Sequence, residues 1–129
     1  MTVEQLLQHA VKARENALAP FSRFKVGAAL LTSGGRLYTG CNIENATYGL
    51  TVCAERVALW KALSEGERSF RQLAVAASGE PPAAPCGACR QLLWEFCGNL
   101  EIILGNISGV KESYRLADLF PRPFDQRSL

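Results

Sequence analysis

The first twenty residues carry the clearest hydrophobic periodicity in the chain. Apolar side chains recur there on one helical stripe: Val3, Leu6, Leu7, Ala10, Val11, Ala17 and Leu18. This pattern predicts an amphipathic helix. Thr2 fits its N-cap, with Gln5 completing a capping box, and Pro20 is expected to end the element. The single histidine, His9, lies beside the stripe, and we interpret it as a partly exposed surface residue.

The next segments have the composition of a β-hairpin. Residues 24–32 and 36–41 are rich in strand-forming side chains and are separated by Ser33-Gly34-Gly35, a strong turn signal. The polar segment that follows, residues 42–48, is rich in asparagine and has no period that predicts a regular element.

The rest of the chain alternates helical and buried-strand patterns. Helices are predicted at 53–63, 87–96 and 117–120, and strands at 73–77, 101–104 and, more weakly, 110–114. Gly66 and Gly98 are placed to stop the first two of these helices. The order predicts an α/β protein, a three-layer α/β/α sandwich with a mixed sheet of about five strands, and residues 1–129 as one domain.

Composition and charge exclude several classes of protein. The 129 residues are 48% hydrophobic and 20% charged, which is typical of a globular chain. A net charge of +2 without a basic run gives no strong attraction for nucleic acid or an anionic membrane. No apolar stretch is long enough to span a bilayer, and the N-terminus lacks the pattern of a signal peptide. We therefore expect a cytoplasmic location.

The five cysteines direct attention to metal chemistry. Their odd number argues against a closed disulfide framework. Cys53 lies at one predicted helix N-terminus, and Cys86 and Cys89 form a C-x-x-C pair at another. Helix N-termini favour the thiolate form, and a sulfur-rich site is most often occupied by zinc. The sequence therefore suggests a zinc site built mainly from sulfur.

The number of ligands separates a catalytic zinc site from a structural one. Three cysteines leave a coordination position for water, whereas a fourth ligand, Cys41 or Cys97, would close the site. Neither of these two belongs to a ligand spacing, and we interpret both as buried structural thiols. Glu55, two residues after Cys53, favours the open site because a carboxylate there can carry protons.

These motifs are similar to those of a known family. Cys53-Ala-Glu-Arg56 with Pro85-Cys-Gly-Ala-Cys-Arg90 resembles the signature of the zinc-dependent nucleoside deaminases. Four further segments resemble the small homotetrameric cytidine deaminases: Pro20-Phe-Ser-Arg-Phe24 with Val26-Gly-Ala-Ala29, Gly40-Cys-Asn-Ile-Glu-Asn-Ala46, Tyr48-Gly, and Leu119-Phe-Pro with Phe124. The resemblance covers nearly the whole chain.

The resemblance implies a reaction and a set of residue roles. Cytidine and 2′-deoxycytidine would be hydrolysed to uridine and 2′-deoxyuridine with release of ammonia, in pyrimidine salvage. One Zn²⁺ per subunit would be held by Cys53, Cys86 and Cys89, with water as the fourth ligand. Glu55 would move the proton between that water, N3 of the ring and the leaving ammonia.

The resemblance also implies roles for residues around the zinc motif. Asn42 and Glu44 would bind the ribose hydroxyls, the Ala54 backbone would face the base, and Phe24 would pack beside it. Phe124 would reach the site of a neighbouring subunit in a homotetramer. Arg56, and less convincingly Arg90, would hydrogen-bond the ligand sulfurs and offset their negative charge.

Three other functions stay open on the sequence. The first is a deaminase for a cytosine-bearing antibiotic nucleoside such as blasticidin S, which Asn42-Ile-Glu-Asn-Ala makes less favoured. The second is polynucleotide editing, which chain length, charge and Glu44 disfavour, because a 3′-phosphate would be repelled by that carboxylate. The third is a non-enzymatic module with a closed four-cysteine zinc site.

Overall fold

The computed structural model describes residues 1–129 and contains four α-helices and five strands. The helices are α1 (Val3–Arg14), α2 (Ala54–Ser64), α3 (Gly87–Cys97) and α4 (Leu116–Leu119). The strands are β1 (Val26–Thr32), β2 (Leu37–Cys41), β3 (Phe70–Ala77), β4 (Glu101–Asn106) and β5 (Lys111–Arg115). Single 3₁₀ turns lie at Tyr48–Leu50 and Gln126–Ser128. No helix is both long enough and apolar enough to cross a bilayer.

All five strands join one mixed sheet in the order β2-β1-β3-β4-β5. Only β3 and β4 run parallel, and their connection contains α3; the other neighbouring strands are antiparallel. This confirms the predicted α/β class and the mixed five-stranded sheet.

Helices cover both faces of the sheet because alternate residues of the central strands point to opposite sides. In β1, Ala28 and Leu30 pack in the larger core cluster with α2 and α3, which also contains Ala58 and Leu93. Ala29 and Leu31 pack instead against Leu6 and Ala10 of α1 in a second cluster. The three-layer arrangement expected from the sequence is therefore present.

The end of α1 differs from its prediction. The Thr2–Gln5 capping box is present, but the helix ends at Arg14 rather than continuing to Pro20. Leu18 instead pairs with Ile43 in an isolated β-bridge, with hydrogen bonds to Asn42 and Glu44. Backbone pairing with the segment that follows β2 therefore outweighs the apolar periodicity.

Strand boundaries differ by a few residues for similar reasons. β1 begins at Val26 rather than at residue 24, because the Phe24 carbonyl is bonded by the Asn42 side chain. β3 begins earlier than predicted, at Phe70, where it pairs with Thr32. Tertiary pairing extends or shortens a strand without changing its local sequence.

One glycine allows α2 to lie close to the sheet. A Cβ atom at Gly40 in β2 would lie 2.6 Å from the Ala54 carbonyl oxygen and 2.7 Å from the Ala58 backbone nitrogen. Both neighbours are helix backbone and cannot rotate away. The start of α2, which carries Cys53 and Glu55, is therefore seated directly over β2.

We expect Gly40→Ala to lower the melting temperature of the protein by several degrees, because overpacking of this kind costs about 1–3 kcal/mol. Gly49→Ala is the matched control, since a Cβ there meets no atom within 4 Å. Thermal unfolding at fixed protein concentration measures both changes. Equal melting temperatures for the two variants would contradict the close approach.

Candidate active site

Two helices begin at the same place above the sheet, and each begins at a cysteine. Cys53 is the N-cap of α2 and Cys86 is the N-cap of α3, and neither side chain makes a capping hydrogen bond. Cys89 lies in the first turn of α3 and is fully buried. The predicted placement of the three thiols at helix N-termini is therefore correct.

The three sulfur atoms have the spacing of a metal site. All lie within 4.8 Å of one another, and Cys53 Sγ is 3.9 Å from Cys86 Sγ. Sulfur atoms that bind zinc at about 2.3 Å in a tetrahedron are about 3.8 Å apart. The donor set and its dimensions therefore fit zinc.

No fourth protein ligand joins this cluster. The side chains placed close enough together to bind one metal ion are those of Cys53, Cys86 and Cys89. Neither Cys41 nor Cys97 lies in this cluster. Burial raises the pKa of the Cys97 thiol to about 12. Both Cys41 and Cys97 are nevertheless only partly buried, which corrects the expectation that they are buried thiols. The closed four-cysteine site thus lacks its fourth ligand.

Arg56 supplies positive charge next to the thiols. Its Nη2 donates a hydrogen bond of 3.4 Å to Cys53 Sγ, while its buried Nε has no partner. Hydrogen bonds from the thiol of Cys89 and from Arg56 lower the pKa of Cys53. Arg90, the weaker candidate for a contact with the ligand sulfurs, donates its hydrogen bonds instead to the carbonyls of Pro85 and Leu119.

Glu55 is a buried carboxyl group beside the sulfur cluster. It lies in the first turn of α2, is only 5% exposed, and lines the cavity next to the sulfur cluster. Burial raises the pKa of Glu55 to about 7. A carboxyl group in this position can accept and donate a proton near neutral pH.

Cys53, Cys86 and Glu55 line a cavity of about 250 Å³, and Cys89 is buried beside the other two sulfurs. Its lining also includes most of the residues expected to bind substrate, together with small and apolar side chains: Ser22, Phe24, Val26, Asn42, Glu44, Thr51, Val52, Ala54, Val75, Ala83 and Ala84. A pocket of this size suits one small molecule.

Asn42 and Glu44 organise the loop at one end of the cavity. Asn42 donates to the Phe24 carbonyl and accepts from the Val26 N–H, both at 2.8 Å. Glu44 accepts from the backbone N–H groups of Phe21 and Ser22 and from the Ser22 hydroxyl. The Ser22 hydroxyl and these N–H groups hold the pKa of Glu44 below its usual value.

Phe124 does not join the cavity of its own chain. Its side chain is 61% exposed, and the segment is tied to α3 by a hydrogen bond from Gln91 to the Phe124 carbonyl. Trp94 anchors the next residue, Asp125, with an indole hydrogen bond of 2.9 Å. The role expected for Phe124 in a neighbouring subunit stays a prediction.

Two contributions to the cavity escape sequence reasoning. Ser22 joins the Glu44 network, and Ala83 with Ala84 forms part of the wall. The proline-rich segment before the C-x-x-C pair could have indicated this wall of the cavity, because a stiff connection there must pass close to the metal ligands. Ser22 lies in the segment Pro20-Phe-Ser-Arg-Phe24 that resembles the family, although no role was assigned to its hydroxyl.

Comparison with known proteins places this arrangement in a family. Residues 1–105 match the model of the cytidine and deoxycytidylate deaminase zinc-binding region. The chain is 51% identical over 130 aligned residues to a cytidine deaminase of Sporosarcina psychrophila, covering 100% of this chain and 96% of that protein. A cytidine deaminase of Halalkalibacterium halodurans is 48% identical over 96% of this chain and 95% of its own length.

A solved structure shows the same fold. The crystal structure of cytidine deaminase from Burkholderia pseudomallei superposes with a TM-score of 0.93 at 48% identity, covering 96% of this chain and 100% of that one. The fold and the sulfur cluster define a zinc-dependent deaminase domain. The chain belongs to the cytidine deaminase family. The matched zinc-binding region and the three sulfurs together support one zinc ion per chain.

Proposed function

We propose that this protein catalyses the hydrolytic deamination of cytidine and 2′-deoxycytidine, giving the corresponding uridine and ammonia in pyrimidine salvage. The observation that carries the proposal is the cluster of three thiols, two of which, Cys53 and Cys86, line one cavity with the buried carboxyl group of Glu55. Family membership and the names of the relatives support the same reaction. The cavity and the net charge of +2 favour a free nucleoside over a polynucleotide.

Cys53, Cys86 and Cys89 are the proposed zinc ligands, and Arg56 stabilises Cys53 as a thiolate. When bound, zinc supplies the Lewis acidity that makes water a sufficient nucleophile at neutral pH. Glu55 takes a proton from the attacking water as oxygen bonds to C4 of the ring. It delivers that proton to N3. Glu55 then carries the proton of the new C4 hydroxyl to the amino group, which leaves as ammonia as the C4–N bond breaks and the C4 carbonyl forms.

The remaining cavity residues bind and orient the nucleoside. Phe24 packs beside the base, and the Ala54 backbone at the start of α2 faces its polar edge. Asn42 and Glu44 form hydrogen bonds with the ribose hydroxyls, using the donor and acceptor positions that their contacts within the loop do not occupy. A 3′-phosphate at Glu44 would meet like charge, which restricts the substrate to nucleosides.

Glu55→Gln tests the catalytic role. We expect one zinc per chain to be retained while kcat for cytidine falls about 10²–10⁴-fold, because the amide cannot carry the proton. Absorbance of the cytidine-to-uridine conversion and metal analysis measure the two quantities. Glu65→Gln, an exposed change at the other end of α2, is the control.

Three results would contradict the proposal. Unchanged turnover in Glu55→Gln would remove the carboxylate from the mechanism. A parent protein that binds zinc but turns over no cytidine would favour a zinc-stabilised module, and preference for a cytosine-bearing antibiotic nucleoside in competition would change the substrate.

Glu44→Gln separates substrate binding from loop structure. The amide oxygen can still accept the Phe21 and Ser22 N–H groups, but the charge is lost. We expect KM for cytidine to rise about tenfold with zinc content unchanged, since a hydrogen bond to a charged group is worth about 1.5–3 kcal/mol. If KM rises in Glu44→Ala but not in Glu44→Gln, Glu44 supports the loop and does not bind the substrate.

We also propose that the chain forms one domain, acts as a homotetramer with sites near subunit interfaces, and works in the cytoplasm. Both core clusters share the single sheet, which supports one domain. Exposed aromatic side chains near the cavity and on the C-terminal segment support association: Phe21, Tyr48 and Phe124. Five unpaired cysteines suit a reducing compartment.

Subunit mixing tests whether Phe124 serves a neighbouring site. Phe124→Ala alone should raise KM, and coexpression with Glu55→Gln should restore a normal KM in mixed assemblies. The inactive subunits would supply Phe124 to intact active sites beside them. Light scattering should give a mass about four times the 14.0 kDa of one chain. A monomer, or a KM that mixing leaves unchanged, would overturn the arrangement.

A further inference from the structure

The segment between β3 and α3, residues 78–86, forms one wall of the cavity and leads directly to a zinc ligand. Ala83 and Ala84 line the cavity. They are followed by Pro85 and then by Cys86. The segment has no regular secondary structure. Its position therefore has to be set by side chains that bond its backbone from other elements.

Side chains from two other elements hold this segment near its ends. The buried Asn106 at the end of β4 donates to the Gly79 carbonyl at 3.0 Å. Arg90 of α3 donates from Nε to the Pro85 carbonyl at 2.7 Å, immediately before Cys86. The Cys86 side chain does not cap its own helix, and the bond from Arg90 holds the backbone carbonyl that directly precedes this ligand.

Arg90 also ties the same point to the C-terminal part of the chain. Its Nη1 donates to the Leu119 carbonyl at 2.6 Å, where α4 ends. Arg90 takes part in none of the ion pairs of the structure, so both of its bonds go to neutral carbonyls. A guanidinium holds its separate Nε and Nη donors in one rigid plane, whereas a lysine has a single ammonium nitrogen on a flexible stem.

We propose that Arg90 is a positioning residue that fixes the Pro85–Cys86 peptide, and with it both the Cys86 sulfur and the Ala83–Ala84 wall. Its role depends on the geometry of its two bonds and not on its charge. Arg56 has the other role, since it contacts a ligand sulfur directly. The inference rests on the proposed zinc-dependent function of this site.

Zinc release measures this role without relying on turnover. We expect Arg90→Ala to transfer zinc to a chromophoric chelator about tenfold faster than the parent, because residues that orient metal ligands typically contribute 10–100-fold to affinity. Arg90→Lys, which keeps the charge, should also release zinc several-fold faster. Arg71→Ala, an exposed arginine on β3, is the control.

Two further readouts separate positioning from general stability. With zinc in excess, KM for cytidine should rise in Arg90→Ala because the cavity wall moves. The thiolate-to-cobalt absorption of the cobalt-substituted variant should shift, whereas that of Arg71→Ala should match the parent. If Arg90→Ala does not fold, Arg90→Lys gives the same three measurements.

Release rates within twofold of Arg71→Ala would overturn the inference, as would full recovery in Arg90→Lys, which would assign the effect to charge. Failure of the proposed function is distinguishable from either result. In that case the parent protein itself would bind no zinc through the three cysteines or would not deaminate cytidine.

Discussion

The site depends on two helices that start at one point and give up their usual N-terminal caps. A capping side chain stabilises a helix by about 1 kcal/mol, and neither Cys53 nor Cys86 provides one. The unpaired N–H groups and the helix dipoles instead favour negative charge where the thiolates lie. Zinc held by Cys53, Cys86 and Cys89 would offset the loss of the two helix caps, which would couple zinc content to the stability of both helices.

The sheet makes this convergence possible. The hairpin places Gly40 under α2, and the parallel pair β3–β4 sends the chain across one face through α3. The two helices therefore reach the sheet from separate parts of the sequence and meet at their N-termini. Glu55, in the first turn of α2, is buried by the same packing, and it lines the cavity.

Several features of the fold and the site follow from local patterns in the sequence. The cysteine spacing, the two helix starts and the alternating apolar residues of the central strands each carry their signal within a few positions. The resemblance to a known family added expected roles for Asn42, Glu44 and Phe24, all of which line the cavity. The end of α1 was misjudged because the pairing of Leu18 with Ile43 depends on a contact that no local period records.

Arg56 and Arg90 show the limit most clearly. Each lies close after a cysteine at the start of a helix, three residues after Cys53 and one after Cys89, so the sequence offers little to separate them. In the folded chain, Arg56 contacts a sulfur and Arg90 contacts two carbonyls from separate segments. The direction in which a long side chain leaves its helix decides its chemistry. For Arg90 that direction follows from the Pro85 and Leu119 carbonyls beside α3, which belong to separate segments of the chain and leave no local pattern around the arginine.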